Sequence, residues 1–124
     1  MSLKIQVQES RPMHFVISLE GRLDTQTHQQ LQATLEMVFE TPVRGIQLDL
    51  HALDYISSMG LRAIMMAAKK SKAQGTAFVL LRPQPPVRAV LDIANALPRQ
   101  AIFASIEEAD RYFDAIQKAE LDKP

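Results

Sequence analysis

Two adjacent serines, Ser57 and Ser58, lie in the stretch DYISSMGLR, where an extended apolar segment gives way to a helical pattern. The apolar residues of that helix begin at Leu61, so Ser58 is predicted to be its N-cap. The same position suits a phosphate, because a helix N-terminus presents unpaired N–H groups and the positive end of the helix dipole. These residues therefore leave two interpretations open, a structural cap and a phosphorylated switch.

Other side chains that could do chemistry are scattered along the chain. There is no Gly-x-Ser-x-Gly motif, and the histidine nearest in sequence to the serine pair, His51, is interpreted as an exposed loop residue. Asp24 and Asp49 could meet at strand ends as a carboxylate pair, although a cap and a strand terminus explain them better. The histidines lack metal-ligand spacing, and the four glycines form no phosphate-binding loop. We predict no catalytic, metal or cofactor site.

The composition limits the partners and the compartment. Of the 124 residues, 47% are hydrophobic and 23% are charged, and 14 basic side chains balance 14 acidic ones. A net charge of zero gives no electrostatic reason to expect nucleic acid or an anionic membrane as a partner. There is no cysteine, no signal-peptide pattern and no apolar run of about 20 residues for a membrane span. We expect one cytoplasmic domain over residues 1–124, without membrane insertion.

Hydrophobic periodicity predicts an α/β domain with the element order β-β-α-β-α-β-α-β-α. LKIQVQ and HFVISLEG alternate apolar and polar residues as a hairpin, and GIQLDL alternates again as the third strand. AFVLL is a continuous apolar run typical of a buried strand, and QAIFA is a weak final strand. Strands linked by helices should be parallel, which gives a mixed sheet, and the alternation favours helices mainly on one face.

Four segments follow helical spacing. Asp24 or Thr25 is the predicted N-cap of the first helix, and Gly75 follows the end of the second. The third helix begins among the prolines of RPQPPV, and Ser105 with Glu108 forms a capping box for the last. The predicted inward faces contain Leu61, Ile64, Met65 and Ala68 in the second helix, and Ile106, Ala109, Tyr112, Phe113 and Ile116 in the last.

Three stretches together resemble a known family. EGRLDTQT, IQLDLHALDYISSMGLRAI and FVLLRPQPPVRAVLDIANALPRQAIFASIEEA look like the STAS domain of bacterial anti-sigma factor antagonists. The resemblance extends over nearly the whole chain with the same order of elements, and it rests on the combination of motifs rather than on one of them. It implies a STAS-like mixed sheet and a protein that regulates transcription rather than an enzyme.

The resemblance also implies partner switching. In such proteins a serine at this helix start is phosphorylated by a partner that is both anti-sigma factor and serine kinase, with a histidine-kinase-like ATPase fold. The unphosphorylated antagonist binds that partner, and a serine phosphatase restores this form. Aligned through Gly60, the family motif Asp-Ser-Ser/Thr-Gly places the phosphoacceptor on Ser58, with Ser57 as the second choice. Ser57 replaces the usual aspartate and Met59 a small hydroxyl residue, which bears on kinase recognition.

A partner-binding surface follows from the resemblance and from helical spacing. Met59, Arg62 and Met66 lie at i, i+3 and i+7 and could form a ridge, since flexible methionines suit adaptable binding surfaces. Met66 could equally fill a gap at the edge of the core. The loop before the first helix should lie at the same sheet edge as the serines. The predicted partner-binding residues are Asp24, Thr25, Ser57, Ser58, Met59, Gly60, Arg62 and Met66.

Two other classes of function stay open. One is a STAS adaptor that is never phosphorylated, such as the accessory subunit of a lipid-transport ATPase complex, because one fold serves many functions. The other is a small-molecule or nucleotide sensor, although no set of residues in the sequence supports it. For the switch, Ser58→Asp is expected to weaken partner binding and leave stability nearly unchanged, because an acid at a helix N-terminus is favourable.

Overall fold

Strands and helices follow one another in the predicted order over the described part of the chain. The computed structural model describes residues 3–96 and 106–123. The predicted final strand, residues 100–104, and Ser105 of the predicted capping box lie outside the described residues, as do the side chains of Ile106 and Ala109. The elements are β1 (Leu3–Arg11), β2 (His14–Leu23), α1 (His28–Phe39), β3 (Gly45–Ile56), α2 (Ser58–Gln74), β4 (Ala77–Leu81), α3 (Pro85–Ala96) and α4 (Ile106–Leu121).

The four described strands form one mixed sheet in the order β1-β2-β3-β4. β1 and β2 are an antiparallel hairpin, whereas β2 with β3 and β3 with β4 are parallel pairs. Parallel neighbours need a crossover connection, and α1 and α2 provide the two crossovers. The predicted hairpin and the predicted mixed sheet are confirmed.

The hydrophobic core lies between one face of this sheet and the helices. Ile46 and Leu48 of β3 are buried, whereas Gln47 between them is exposed on the opposite face. The prediction that the helices pack mainly on one face is confirmed. The buried helical residues in the same core include Leu31, Leu35, Leu61, Ile64, Val87, Val90 and Phe113.

β3 continues past the alternating GIQLDL segment as far as Ile56. Its pairing with β2 shifts register twice, and each shift places an extra β3 residue opposite β2. Leu50, Leu53 and Ile56, which are three residues apart, therefore all face the core. The prediction that His51 lies in a loop is wrong, because this residue is an exposed member of the extended strand.

Helix boundaries follow local chemistry, with one correction. Gly75 follows the end of α2 with a left-handed φ of 76°, and α3 begins at Pro85, as predicted. α1, however, has Thr27 rather than Asp24 or Thr25 at its N-cap. The carboxylate of Asp24 accepts hydrogen bonds from the backbone N–H groups two and three residues later, so it stabilises the turn that precedes the helix.

Three predictions of burial are wrong. In α2, Ala68 is exposed, because the buried face runs one position earlier, through Ile64 and Ala67. In α4, Tyr112 is exposed while its neighbour Phe113 is buried. β4 is largely half-exposed rather than buried, because only its alternate residues Phe78 and Leu80 pack against the core. In each case the apolar stripe of the sequence is wider than the face that the fold covers.

Asp49 is a buried carboxylate on the sheet face opposite the core. Its Oδ2 accepts a hydrogen bond from Nη2 of Arg82 at 2.7 Å, and its Oδ1 accepts the N–H of His51 at 3.1 Å. The guanidinium of Arg82 holds the pKa of Asp49 below its ordinary value. Asp49 thus lies within β3 as an ion-pair residue, and its predicted position at a strand terminus is wrong.

Asp49→Asn is expected to lower stability at neutral pH and to lose this effect in acid. A lowered pKa means that folding favours the ionised form, so the contribution to the free energy of unfolding is complete above about pH 4 and disappears as the pH falls through the folded-state pKa. Urea denaturation of both proteins across a pH series measures the difference. Asp92→Asn is the matched control, because Asp92 forms an exposed pair with Arg88. A difference that persists unchanged into strong acid would contradict the assignment.

Candidate functional site

The junction between β3 and α2 is tied to the end of β2. The backbone N–H of Ser57 donates to the carbonyl oxygen of Leu23 at 2.9 Å, and Ser57 is extended, with φ −96° and ψ 175°. Its hydroxyl accepts the N–H of Gly60 at 3.2 Å, which is an N-cap contact. The cap of α2 is therefore Ser57, and the prediction that Ser58 caps the helix is wrong. The bond to Leu23 places the boundary one residue earlier than the apolar spacing indicates.

Gly60 allows α2 to begin directly beside β2. A Cβ at this position would lie 2.7 Å from both Cγ and the carbonyl oxygen of Leu23, which is closer than real Cβ atoms approach other atoms. Only glycine fits here without a shift of the β2 backbone or of the helix. The close approach of Leu23 thus explains why the Ser-Ser-x-Gly junction has a glycine, independently of phosphorylation.

Ser58 is the first residue of α2, and α4 covers it. Its exposed fraction is 0%. Its N–H donates to Oδ1 of Asp110 at 2.8 Å, and its hydroxyl donates to the same oxygen at 2.5 Å. The carboxylate of Asp110 therefore lies at the positive end of the α2 dipole, where an anion is favoured. The candidate phosphoacceptor faces a carboxylate from a distant helix.

Two further side chains of α4 bind the same segment, and we call Asp110, Asp114 and Gln117 together the α4 seam. The buried amide of Gln117 accepts the N–H of Ile56 at 2.9 Å and donates to its carbonyl oxygen at 2.8 Å. Asp114 accepts a hydrogen bond from the hydroxyl of Tyr55. Spaced at i, i+4 and i+7, the seam follows one face of α4 and binds one continuous segment at the end of β3 and the start of α2.

A cation lies beside the seam at the surface. Cζ of Arg22 lies 3.9 Å from the centroid of the Tyr55 ring, and its Nε lies 3.6 Å from Oδ2 of Asp24. Burial, together with the bond to Asp114, raises the pKa of Tyr55 above its ordinary value, so the hydroxyl stays protonated and donates. These contacts connect the loop before α1 with α4 through the end of β3.

The predicted partner-binding residues divide into an accessible group and a buried group. The bond between Ser57 and Leu23 brings the loop before α1 to the start of α2, so the two predicted regions lie at one sheet edge. A partner can contact the buried group only if the elements that cover it move, and partner binding by these residues stays a prediction. The accessible group contains Asp24, Thr25, Met59, Arg62 and Met66, and the buried group contains Ser57, Ser58 and Gly60.

Met66 lies on the surface of α2 rather than in the core. Half of its side chain, 50%, is exposed. It lines an apolar groove between α1 and α2, beside Leu35, Phe39 and Ala63. This exposure favours the interpretation of Met66 as part of a ridge over that of a residue that fills a gap in the core.

The three residues of the α4 seam are not among the site residues predicted from the sequence. A polar stripe at i, i+4 and i+7 is usually a solvated helix face, so the spacing of these residues does not distinguish a seam from a surface. The hydrogen bonds join residues that are 52 to 61 positions apart in the chain. No local pattern carries that information.

The described residues hold no hydrolytic or metal site at the serines. His51 and Ser57 are separated by extended strand that spans roughly 15–20 Å, too far for a hydrogen bond. Asp24 and Asp49 bind different partners, the turn before α1 and Arg82. Within residues 3–96 and 106–123, no group of three or more His, Asp or Glu side chains could hold a metal ion. In the same ranges, no helix has the length and apolarity to span a bilayer.

Fold and sequence together define the family. The STAS domain model matches residues 4–109, and the chain belongs to the STAS domain family. A relative from Bordetella bronchiseptica, "Putative anti-sigma factor antagonist BtrV", is 34% identical over 98 residues, which cover 79% of this chain and 84% of the relative.

Solved structures share this fold. The anti-sigma factor antagonist SpoIIAA in its unphosphorylated form has a TM-score of 0.68 and 25% identity, over 74% of this chain and 81% of that one. The Bacillus cell fate determinant SpoIIAA in the phosphorylated form has a TM-score of 0.64 and 23% identity, over 82% of this chain and 98% of that one. The predicted STAS fold and the family resemblance are confirmed.

Gln117→Leu is expected to destabilise the fold by about 2–4 kcal/mol, because it leaves the N–H and C=O of Ile56 buried without partners. Leucine is similar in size, so the loss reports the hydrogen bonds rather than a cavity. Urea denaturation measures the change. Lys118→Leu, at the exposed neighbouring position, is the control and should change stability by less than about 0.5 kcal/mol. Equally small changes in both variants would show that Ile56 does not depend on Gln117.

Proposed function

We propose that this protein is an anti-sigma factor antagonist that acts by partner switching, with Ser58 as its phosphorylated residue. The unphosphorylated form binds an anti-sigma factor that is also a serine kinase with a histidine-kinase-like ATPase fold, and this binding frees the sigma factor. Phosphorylation of Ser58 ends the binding. A serine phosphatase removes the phosphate and restores the active antagonist.

The observation that carries the proposal is the position of Ser58 within a STAS domain. Ser58 is the first residue of α2, where backbone N–H groups and the helix dipole favour an anion, and it aligns with the phosphoacceptor of the family motif. The relative BtrV, named as an anti-sigma factor antagonist, matches 79% of the chain. The similar antagonist SpoIIAA has a structure of its unphosphorylated form, which supports phosphorylation as the variable state.

The proposed reaction is a phosphoryl transfer from ATP. Oγ of Ser58 forms a bond to the γ-phosphorus, and the bond from that phosphorus to the oxygen bridging the β- and γ-phosphates breaks. ADP leaves with the bridging oxygen, and the hydroxyl proton passes to solvent. The phosphatase adds water across the Oγ–P bond, which returns serine and inorganic phosphate. In this scheme the protein provides the acceptor oxygen, and its two partners provide the catalysis.

One observation favours the alternative, a STAS adaptor that is never phosphorylated, such as the accessory subunit of a lipid-transport ATPase complex. Ser58 has no exposed surface and is hydrogen-bonded to Asp110. Ser57 also stands where the family motif has an aspartate. An adaptor of this kind would copurify with an ATPase complex rather than with a kinase.

The phosphorylation test uses the partner that tagged protein captures from its native cells. Incubation with this partner and ATP is expected to add one phosphoryl group, a gain of about 80 Da in intact mass. Ser58→Ala should abolish the gain. Ser57→Ala should keep it and instead lose about 1 kcal/mol of stability, because it removes the N-cap. No gain with any captured partner would refute the proposal and favour the adaptor. A gain that survives Ser58→Ala would place the phosphate on another residue and refute Ser58 as the acceptor.

Met66→Ala is expected to weaken binding of the unphosphorylated protein to this partner by roughly tenfold, or about 1–2 kcal/mol, if the ridge on α2 is part of the interface. Isothermal titration calorimetry measures the Kd. Met37→Ala is the matched control, because Met37 is 69% exposed on α1. Both variants should retain their stability within about 0.5 kcal/mol. Equal affinities of the two variants would exclude Met66 from the interface.

A further inference from the structure

Asp110 and a phosphate on Ser58 would compete for the same place. Oδ1 of Asp110 accepts both the N–H and the hydroxyl of Ser58, at 2.8 and 2.5 Å, and the Ser58 side chain has no exposed surface. A phosphate on Ser58 requires the N–H groups of the helix start as its hydrogen-bond donors, and the carboxylate of Asp110 already accepts the N–H of Ser58. The two anions cannot be accommodated together, so one of them must leave.

Phosphorylation also changes the chemistry of the Ser58 oxygen. The hydroxyl donates a proton to Asp110, whereas a phosphoester oxygen has no proton to donate. The phosphate brings a charge of about −1.5 to −2 at neutral pH. An attraction between Ser58 and α4 therefore becomes a repulsion. For the same reason Ser58→Asp should destabilise the fold, in contrast to the expectation from an isolated helix N-terminus.

The remaining contacts of α4 allow a partial release. Asp114, one turn further along the helix, is a second carboxylate and adds to the repulsion from a phosphate. Gln117 stays bonded to the β3 backbone, and Phe113 remains in the core. α4 also packs against α3, so its first turns can leave α2 while the helix stays attached to the domain.

We propose that α4 is a latch over Ser58, and that the closed latch and the phosphate exclude each other. This inference rests on the proposed phosphorylation of Ser58. Phosphorylation displaces Asp110 and opens the first turns of α4 from α2. The closed latch in turn slows modification of Ser58. The closed latch slows the modification because Ser58 has no exposed surface while α4 covers it.

The direct test is hydrogen–deuterium exchange of the full chain, with phosphoserine incorporated at position 58 during translation so that no kinase is needed. The amides of α4 are expected to exchange about tenfold faster than in the unmodified protein, because the helix opens more often. The amides of β2 and β3 should keep their rates. Unchanged exchange of α4 in the phosphorylated protein would overturn the latch.

Asp110→Asn separates the effect of charge from that of bulk. Asparagine has the same size, and its amide N–H can donate to a phosphoester oxygen, so the phosphorylated variant should keep the exchange rate of α4 within about twofold of its unmodified form. Asp92→Asn, an exposed change on α3, is the control and should show the full acceleration. The same acceleration in both variants would overturn the role of Asp110.

The effect of the latch on modification is measured with the kinase. Asp110→Ala opens the latch and is expected to raise the initial rate of Ser58 phosphorylation about tenfold, because α4 uncovers the serine more often, whereas Asp92→Ala should leave the rate unchanged. An equal rate for the wild type and Asp110→Ala would contradict the latch. If the kinase modifies no form, the proposed function fails, while exchange of the translated phosphoserine protein still decides for or against the latch.

Discussion

The carbonyl oxygen of Leu23 fixes the geometry at the functional end of the molecule. It accepts the N–H of Ser57 and lies against Gly60, so it determines both where β3 ends and how closely α2 begins. β2 is paired with β1 as far as Gly21 and with β3 as far as Leu23, so the pairing with β3 holds this oxygen in place. With the boundary at this residue, Ser57 caps the helix and Ser58 faces α4.

A carboxylate reaches the start of α2 from an unexpected element. The family motif has an aspartate before its serines, and this chain has Ser57 there. Asp110 supplies a carboxylate from α4 instead, bonded to the N–H and the hydroxyl of Ser58. The interaction that stabilises the helix N-terminus therefore also attaches the last helix to it. In this protein, the N–H and the hydroxyl of Ser58 therefore hold the last helix at the start of α2.

Sequence patterns predict correctly those features of the fold that depend on residues close together in the chain. The hairpin, the glycine that follows α2 and the one-sided packing of the helices follow from hydrophobic period and capping residues. The cap of α2 is predicted one residue too late, because it depends on a bond to Leu23, far earlier in the chain. The family motif predicts the serine pair and the loop before α1 as site residues, and helical spacing predicts the ridge on α2. It does not identify Asp110 or Gln117, since their partners become neighbours only when the whole domain has folded.

The helix cap and the candidate acceptor are separate residues, and this bears on how such a domain can evolve. Substitutions at position 57 remove the cap of α2, whereas substitutions at position 58 change the contact with α4. In the proposed switch, a single replacement of Ser58 would give a constitutive antagonist while Ser57 still caps the helix. The STAS fold can thus give rise to both modified and unmodified members through a few substitutions at one junction.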